Sequence, residues 1–132
     1  MAGRKQASFV AVVEDDVGVR TAVLELLRSC DIKARGFASA ESFLGSRQGF
    51  RAACLVVDMR LPGMTGLELL QALQGRGLQI PAICSTAEAD IDERVRQDLI
   101  KVGAVAVLGK PFDTRQLLRL IETALAGSGP RP

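Results

Sequence analysis

The sequence predicts an α/β fold built on a doubly wound, five-stranded parallel sheet. Two observations carry this. Short apolar runs rich in β-branched residues recur along the chain, as strands buried on both faces require. Between them lie segments with apolar residues at helical spacing, so strand and helix alternate through short connections that imply right-handed crossovers.

Residues 9–13, FVAVV, form the first strand and run into Glu14, Asp15 and Asp16. A helix over 17–29 follows, with Val19, Val23, Leu26 and Leu27 on one stripe and Asp16 placed to cap it. Residues 32–37 are a second, weaker strand. Ser39 begins a short helix through Phe43 and Leu44 that Gly45 helps to end. Residues 53–57, ACLVV, are the third strand, stopped by Asp58. After the loop 59–64, Thr65 and Glu68 have capping-box spacing and open a helix through Leu73. Residues 80–85 form the fourth strand. Asp90, with Glu93 three residues on, caps a helix whose stripe is Ile91, Val95, Leu99 and Val102. Residues 104–108 are the fifth strand, and Asp113 caps a last helix carrying Leu117, Leu120, Ile121 and Ala124.

The 132 residues have room for one domain, expected over 9–126, with an N-terminal tail over 1–8 and a C-terminal tail or linker stub over 127–132. A net charge of +2 is too balanced to suggest nucleic-acid binding, and five Phe with no Trp or Tyr provide no stacking platform. The absence of His excludes a phosphohistidine carrier, a His-based triad and a His-rich metal site. Three cysteines, Cys30, Cys54 and Cys84, lack CxxC spacing, and Cys54 and Cys84, inside apolar runs, are read as small buried hydrophobes in a reducing cytoplasm. No secretory h-region or membrane-spanning stretch is present in the sequence, so the expected location is cytoplasmic.

Functional groups of open parallel sheets gather beyond the carboxyl ends of the strands. There the sequence places Glu14 and Asp15 after strand one, Asp58 after strand three, Ser85 and Thr86 after strand four, and Lys110 after strand five. Two carboxylates about 4 Å apart repel by ~4 kcal/mol at an effective dielectric near 20, so such a cluster calls for a cation. All-oxygen ligation points to Mg²⁺, Mn²⁺ or Ca²⁺, and a site awaiting a phosphate suits Mg²⁺ best. A metal-bound carboxylate beside a Lys and a Thr suggests phosphoryl transfer. Asp58 is then the nucleophile. Asp15 holds Mg²⁺ directly and Glu14 directly or through water, while Lys110 and the Thr86 hydroxyl contact phosphoryl oxygens. A carboxylate acceptor needs no general base, because ordinary carboxyls are ionised at neutral pH.

Plainer roles exist for each residue. An acidic triplet at a helix N-terminus is favourable in itself, and Asp16 is assigned to capping. Asp58 and Thr86 are ordinary turn types in isolation, and Lys110 an ordinary surface lysine. Gly63 and Gly66 are read as turn geometry rather than a phosphate cradle. Leu118 lies partly off the last helical stripe, a weak pointer to a dimer contact.

Four motifs in order resemble the response-regulator receiver domains of bacterial two-component systems. They are Glu14-Asp15 after an aliphatic strand, the run from Asp58 through Pro62, Gly63 and Met64 to Gly66, Ser85-Thr86-Ala87, and Lys110-Pro111-Phe112. The wording around Asp58 is most similar to the nitrogen-fixation regulator group. The resemblance implies a flavodoxin-like sheet of strand order 2-1-3-4-5 and a cis bond between Lys110 and Pro111. It also implies the Arg60 carbonyl as a third protein ligand to Mg²⁺. The phosphoryl group would come from a sensor histidine kinase or phosphotransfer protein in a phosphorelay and would be lost by slow self-catalysed hydrolysis. The domain would be a switch rather than a multiple-turnover enzyme. Signalling, to a homodimer partner or an output partner, would run through the fourth helix, fifth strand and fifth helix, with Thr86 as one switch residue.

The chain departs from the family at the second switch position, where an aromatic ring or His is usual and Val107 stands here. A β-branched side chain cannot reproduce a ring swing. The alternative reading is therefore a phosphate-independent pseudo-receiver, a protein-interaction module. Arg60 is expected to alter how fast water reaches an acyl phosphate. A nucleotide-binding domain is excluded because acidic residues occupy the place of a glycine-rich turn. A phosphatase of the haloacid-dehalogenase type would need an Asp where Arg60 stands.

Overall fold

Apolar strands that lack any polar face have to enter a sheet covered on both sides, and residues 9–13, 54–58 and 82–86 are buried throughout. The computed structural model describes residues 8–47 and 51–127, so the expected tails fall almost wholly outside it. Five parallel strands, β1 (Phe9–Val13), β2 (Ala34–Phe37), β3 (Ala52–Asp58), β4 (Ala82–Ala87) and β5 (Ala104–Lys110), lie in the order β2-β1-β3-β4-β5. Five helices join or follow them: α1 (Val17–Ser29), α2 (Ala40–Gly45), α3 (Gly66–Gly75), α4 (Glu93–Lys101) and α5 (Thr114–Gly127). This is the expected flavodoxin-like arrangement. No helix among the described residues is long and apolar enough to cross a membrane.

Alternation along the strands divides the core in two. Phe9, Ala11 and Val13 of β1 share one cluster with Phe43 of α2, Leu69, Leu70 and Leu73 of α3, and Leu99 of α4. Val10 and Val12 face the other way, toward Val23 and Leu27 of α1 and Leu117 and Ile121 of α5. Side-chain caps start the helices: Asp16 accepts from the Val19 amide at 2.9 Å and Ser39 from that of Ser42 at 3.0 Å. Thr65 and Glu68 close a reciprocal capping box, as their spacing predicts.

Several boundaries differ from the sequence reading, each for a local reason. β2 starts at Ala34 rather than 32, because α1 ends in a tight turn. Asp31 is left-handed there at φ 61°, and the Ile32 amide donates back to Leu27 O at 2.9 Å. β4 starts at Ala82 rather than 80, since Pro81 has no N–H for the ladder. It continues to Ala87 because Thr86 and Ala87 pair with Gly109 and Lys110, which lengthens β5 as well. Asp90 does not cap α4. Residues Glu88–Asp90 form a 3₁₀ turn and Asp92 is the cap, accepting from the Val95 amide at 2.8 Å. Of the stripe expected there, Leu99 is buried while Ile91, Val95 and Val102 are half-buried. The Lys110–Pro111 bond is cis.

Gly66 is the glycine with the least room. A Cβ there would meet Asp58 O at 2.7 Å and Met59 Cα at 3.0 Å, both backbone, so turn geometry alone does not explain this position. Gly66→Ala is expected to lower stability by about 1–3 kcal/mol in urea unfolding, the range for overpacking. Gly75→Ala, whose Cβ would point into open space, is expected to be neutral or stabilising. Equal effects would contradict this packing. Burial pushes the Cys54 and Cys84 thiols up to about 12, while Cys30 is exposed. A thiol reagent at pH 8 should therefore add one adduct per folded chain, at Cys30, and three after unfolding. Native labelling of Cys54 or Cys84, read by mass spectrometry, would contradict it.

Candidate functional site

The chain leaves β1 toward β2 on one side and returns to β3 on the other, so the crevice at the carboxyl ends of β1 and β3 is the topological switch point. Val13 pairs with Val57, which brings Glu14 level with Asp58. One oxygen from each of Glu14, Asp15 and Asp58 lies within 4.8 Å of the other two. Glu14 and Asp58 are 5% and 7% exposed, and Asp15 faces solvent.

Lys110 ends β5, two strands away from β3, and its long stem carries the ammonium across the end of β4. There Nζ donates to Glu14 Oε1 at 2.8 Å and to Asp58 Oδ2 at 3.0 Å. Burial pulls the Lys110 pKa down, but the hydrogen bonds to both carboxylates outweigh it and raise it above the ordinary lysine range. Burial also raises the Glu14 pKa, against the hydrogen bonds it accepts from Lys110 and the Asp16 amide. The two directions conflict for one pair. The lysine's governs, because its ammonium is held by two acids at once.

Three carboxylates against one ammonium leave a net charge of about −2, matched to one divalent cation. The donor set is all oxygen. Two oxygens on opposite sides of one Mg²⁺ lie about 4.2 Å apart, so a spread of 4.8 Å needs little closing. The residues present fit such an ion.

Hydrogen bonds to and from the adjoining backbone hold this edge. The Met59 amide donates to Ser85 O at 2.8 Å, and the Arg60 amide to Asp58 Oδ1 at 3.0 Å. Arg20 of α1 donates from Nη1 to Glu14 O at 2.6 Å. Thr86 is buried near the end of β4, one residue beyond Ser85, which pairs with Asp58. The Arg60 side chain turns outward and pairs with Asp90 at 3.1 Å; both are exposed, so the pair is worth no more than about 1 kcal/mol. Val107 lies apart, opposite Cys84 in the buried layer that Leu99 of α4 also enters.

Sequence reasoning missed two groups here, Arg20 and Glu41. Arg20 carried a signal, since a cation in the opening turns of a helix opposes the helix dipole and needs another partner. Glu41 of α2 carried none. Its Oε2 accepts from the Met64 amide at 2.8 Å, a contact 23 positions away that only the folded chain creates.

Comparison with known proteins agrees with this fold. Residues 10–122 match the family model described as the response regulator receiver domain. The chain is 38% identical over 120 residues to response regulator protein TmoT of Ectopseudomonas mendocina, covering 91% of this chain and 54% of that one. It is 38% identical over 125 residues to nodulation protein W of Bradyrhizobium diazoefficiens, covering 92% and 54%. Among solved structures, the response regulator StyR superposes with a TM-score of 0.81 at 40% identity, over 92% of this chain and 60% of that one. Full-length FixJ from B. japonicum gives 0.82 at 31% identity, over 92% and 59%. The chain spans about half the length of the curated relatives it matches. With that match extending over most of its length and the acid cluster at the switch point, the chain belongs to the response regulator receiver domain family.

Proposed function

We propose that this receiver domain accepts a phosphoryl group on Asp58, in an Mg²⁺-dependent transfer from a phosphohistidine of a sensor kinase or phosphotransfer protein. The observation that carries this is the Lys110 ammonium shared between Asp58 and Glu14 beside three converging carboxylates. An Asp58 carboxylate oxygen attacks phosphorus as the P–N bond to the donor imidazole breaks, and the leaving nitrogen takes up a proton. Hydrolysis reverses the uptake: water attacks phosphorus, inorganic phosphate leaves and the carboxylate is restored. When bound, Mg²⁺ would be held by Glu14, Asp15, Asp58 and the Arg60 carbonyl, and would neutralise charge on the transferring group. Lys110 is poised beside Oδ2, where its ammonium would meet a phosphoryl oxygen. Thr86, buried at the end of the neighbouring strand, would supply a hydroxyl to another. The domain thus turns over only its own acyl phosphate. This is a cytoplasmic signalling role without direct nucleic-acid contact. A place upstream of gene control is supported by relatives named as transcriptional regulatory proteins.

Output would pass through the face made by α4, β5 and α5, to a second copy or an output partner. Val107, buried and β-branched, favours a second reading in which that face acts without phosphate. Acetyl phosphate with Mg²⁺ separates the two. One added phosphoryl group, seen by mass spectrometry and lost in Asp58→Asn or with EDTA, is expected; an unmodified wild-type chain would favour the phosphate-independent module.

Removing the lysine tests the electrostatics separately. Lys110→Ala leaves Glu14 and Asp58 buried without their cation, so metal-free stability should fall by about 2 kcal/mol, below the cost for a fully buried pair because Lys110 is partly exposed. Mg²⁺ should then raise the melting temperature of the variant more than that of the wild type. Equal Mg²⁺ effects would contradict a shared cation site.

A further inference from the structure

The loop over residues 59–64 follows the end of the acceptor strand and carries the Arg60 carbonyl. Its start is tied to β4 and Asp58 by the Met59 and Arg60 amides. Its far end is tied to α3, where the Gly66 amide donates to Met59 O at 3.2 Å and the capping box begins. The crest, Pro62 and Gly63, is exposed.

Glu41 of α2 reaches the segment between these ties. Its Oε2 accepts from the Met64 amide at 2.8 Å, and that backbone hydrogen bond holds its carboxyl below the usual glutamate range. Gly63 sits beneath the same carboxylate. A Cβ there would come within 2.6 Å of Oε2, and the residue is left-handed at φ 75°. Glycine at 63 thus serves two needs, the turn and room for Glu41. The base of Glu41 is firm as well. Ser39 and Ser42 cap α2 reciprocally, Ala40 and Phe43 are buried, and Phe43 meets Phe37 edge to face with ring centres 5.2 Å apart.

We infer that Glu41 is a positioning residue, whose carboxylate fixes the crest of this loop through Gly63 and Met64 and so restrains the backbone that carries the Arg60 carbonyl. The use made of that carbonyl rests on the Mg²⁺-dependent reading above; the hold on the loop does not. A charged acceptor on a backbone amide makes a stronger tie than a neutral one. Gln keeps an acceptor oxygen, whereas Ala removes it.

The test is NMR on the metal-free, unphosphorylated chain, comparing wild type with Glu41→Gln and Glu41→Ala. The wild-type Met64 amide proton should lie downfield and exchange slowly. Glu41→Ala should shift it upfield, speed its exchange by about ten-fold, and move the Arg60 carbonyl carbon resonance, with Gln restoring part of each change. Mg²⁺ affinity, by calorimetry, should weaken about three- to ten-fold in Glu41→Ala and less in Glu41→Gln, with the melting temperature of both close to wild type. A fast-exchanging wild-type Met64 amide would overturn the inference. So would an Arg60 carbonyl resonance that stays in place when the Met64 amide moves. A wild-type chain that binds no Mg²⁺ would instead count against the metal-dependent reading, and the Met64 and Arg60 resonances would still decide the role of Glu41.

Discussion

A lysine ammonium held between two carboxylates is the interaction on which the site depends. Lys110 comes from β5, Asp58 from β3 and Glu14 from the end of β1, so one cation ties three strands together. At an effective dielectric near 20, each contact near 3 Å attracts by roughly 5 kcal/mol, while a carboxylate pair at about 4.8 Å repels by roughly 3–4 kcal/mol. Attraction and repulsion nearly offset. The sheet tolerates the acids without neutralising them, and the residual negative charge is what a divalent ion would find.

The fold supplies this constraint cheaply. Parallel strands all end on one edge, and the reversal between β1 and β3 opens a crevice at that edge without any cavity being carved from the core. The two strands that open this crevice, β1 and β3, are apolar up to their acids, so the polar groups emerge abruptly where hydrophobic support stops. Helix starts complete the frame. Asp16 caps α1 directly after the acid pair, and Gly66 lets α3 begin against the backbone of Asp58 and Met59. The end of β3 is therefore bounded by packing on one side and by caps on the other.

The departure at Val107 acquires a structural meaning in this setting. It occupies the buried layer between β5 and α4, where a small β-branched side chain fills space without a polar tip. In the proposed function, chemistry at the strand ends and output through the helical face would be separable in this chain, since Val107 touches neither the acids nor Lys110. Arg60 and Asp90 bridge the loop after β3 to the 3₁₀ turn after β4.

The sequence by itself determined the order of the elements and the polar groups near the strand ends. Short apolar runs rich in β-branched residues, bounded by turn residues, read as strands covered on both faces, so the alternation, the sheet type and the polar groups near the strand ends were legible from pattern. Of the groups that pattern points to, the structure brings Glu14, Asp15 and Asp58 within 4.8 Å of one another, bonds Lys110 to Glu14 and Asp58, and buries Thr86 near the end of β4. What pattern could not contain was pairing between distant positions. Ladder partners lengthened β4 and β5, a turn residue shortened β2, and the choice of Asp92 over Asp90 as cap depended on where the 3₁₀ turn left the chain. Arg20 and Glu41 became visible as supports only in three dimensions, because a side chain's long-range partner is set by where folding puts it rather than by its own neighbours in sequence.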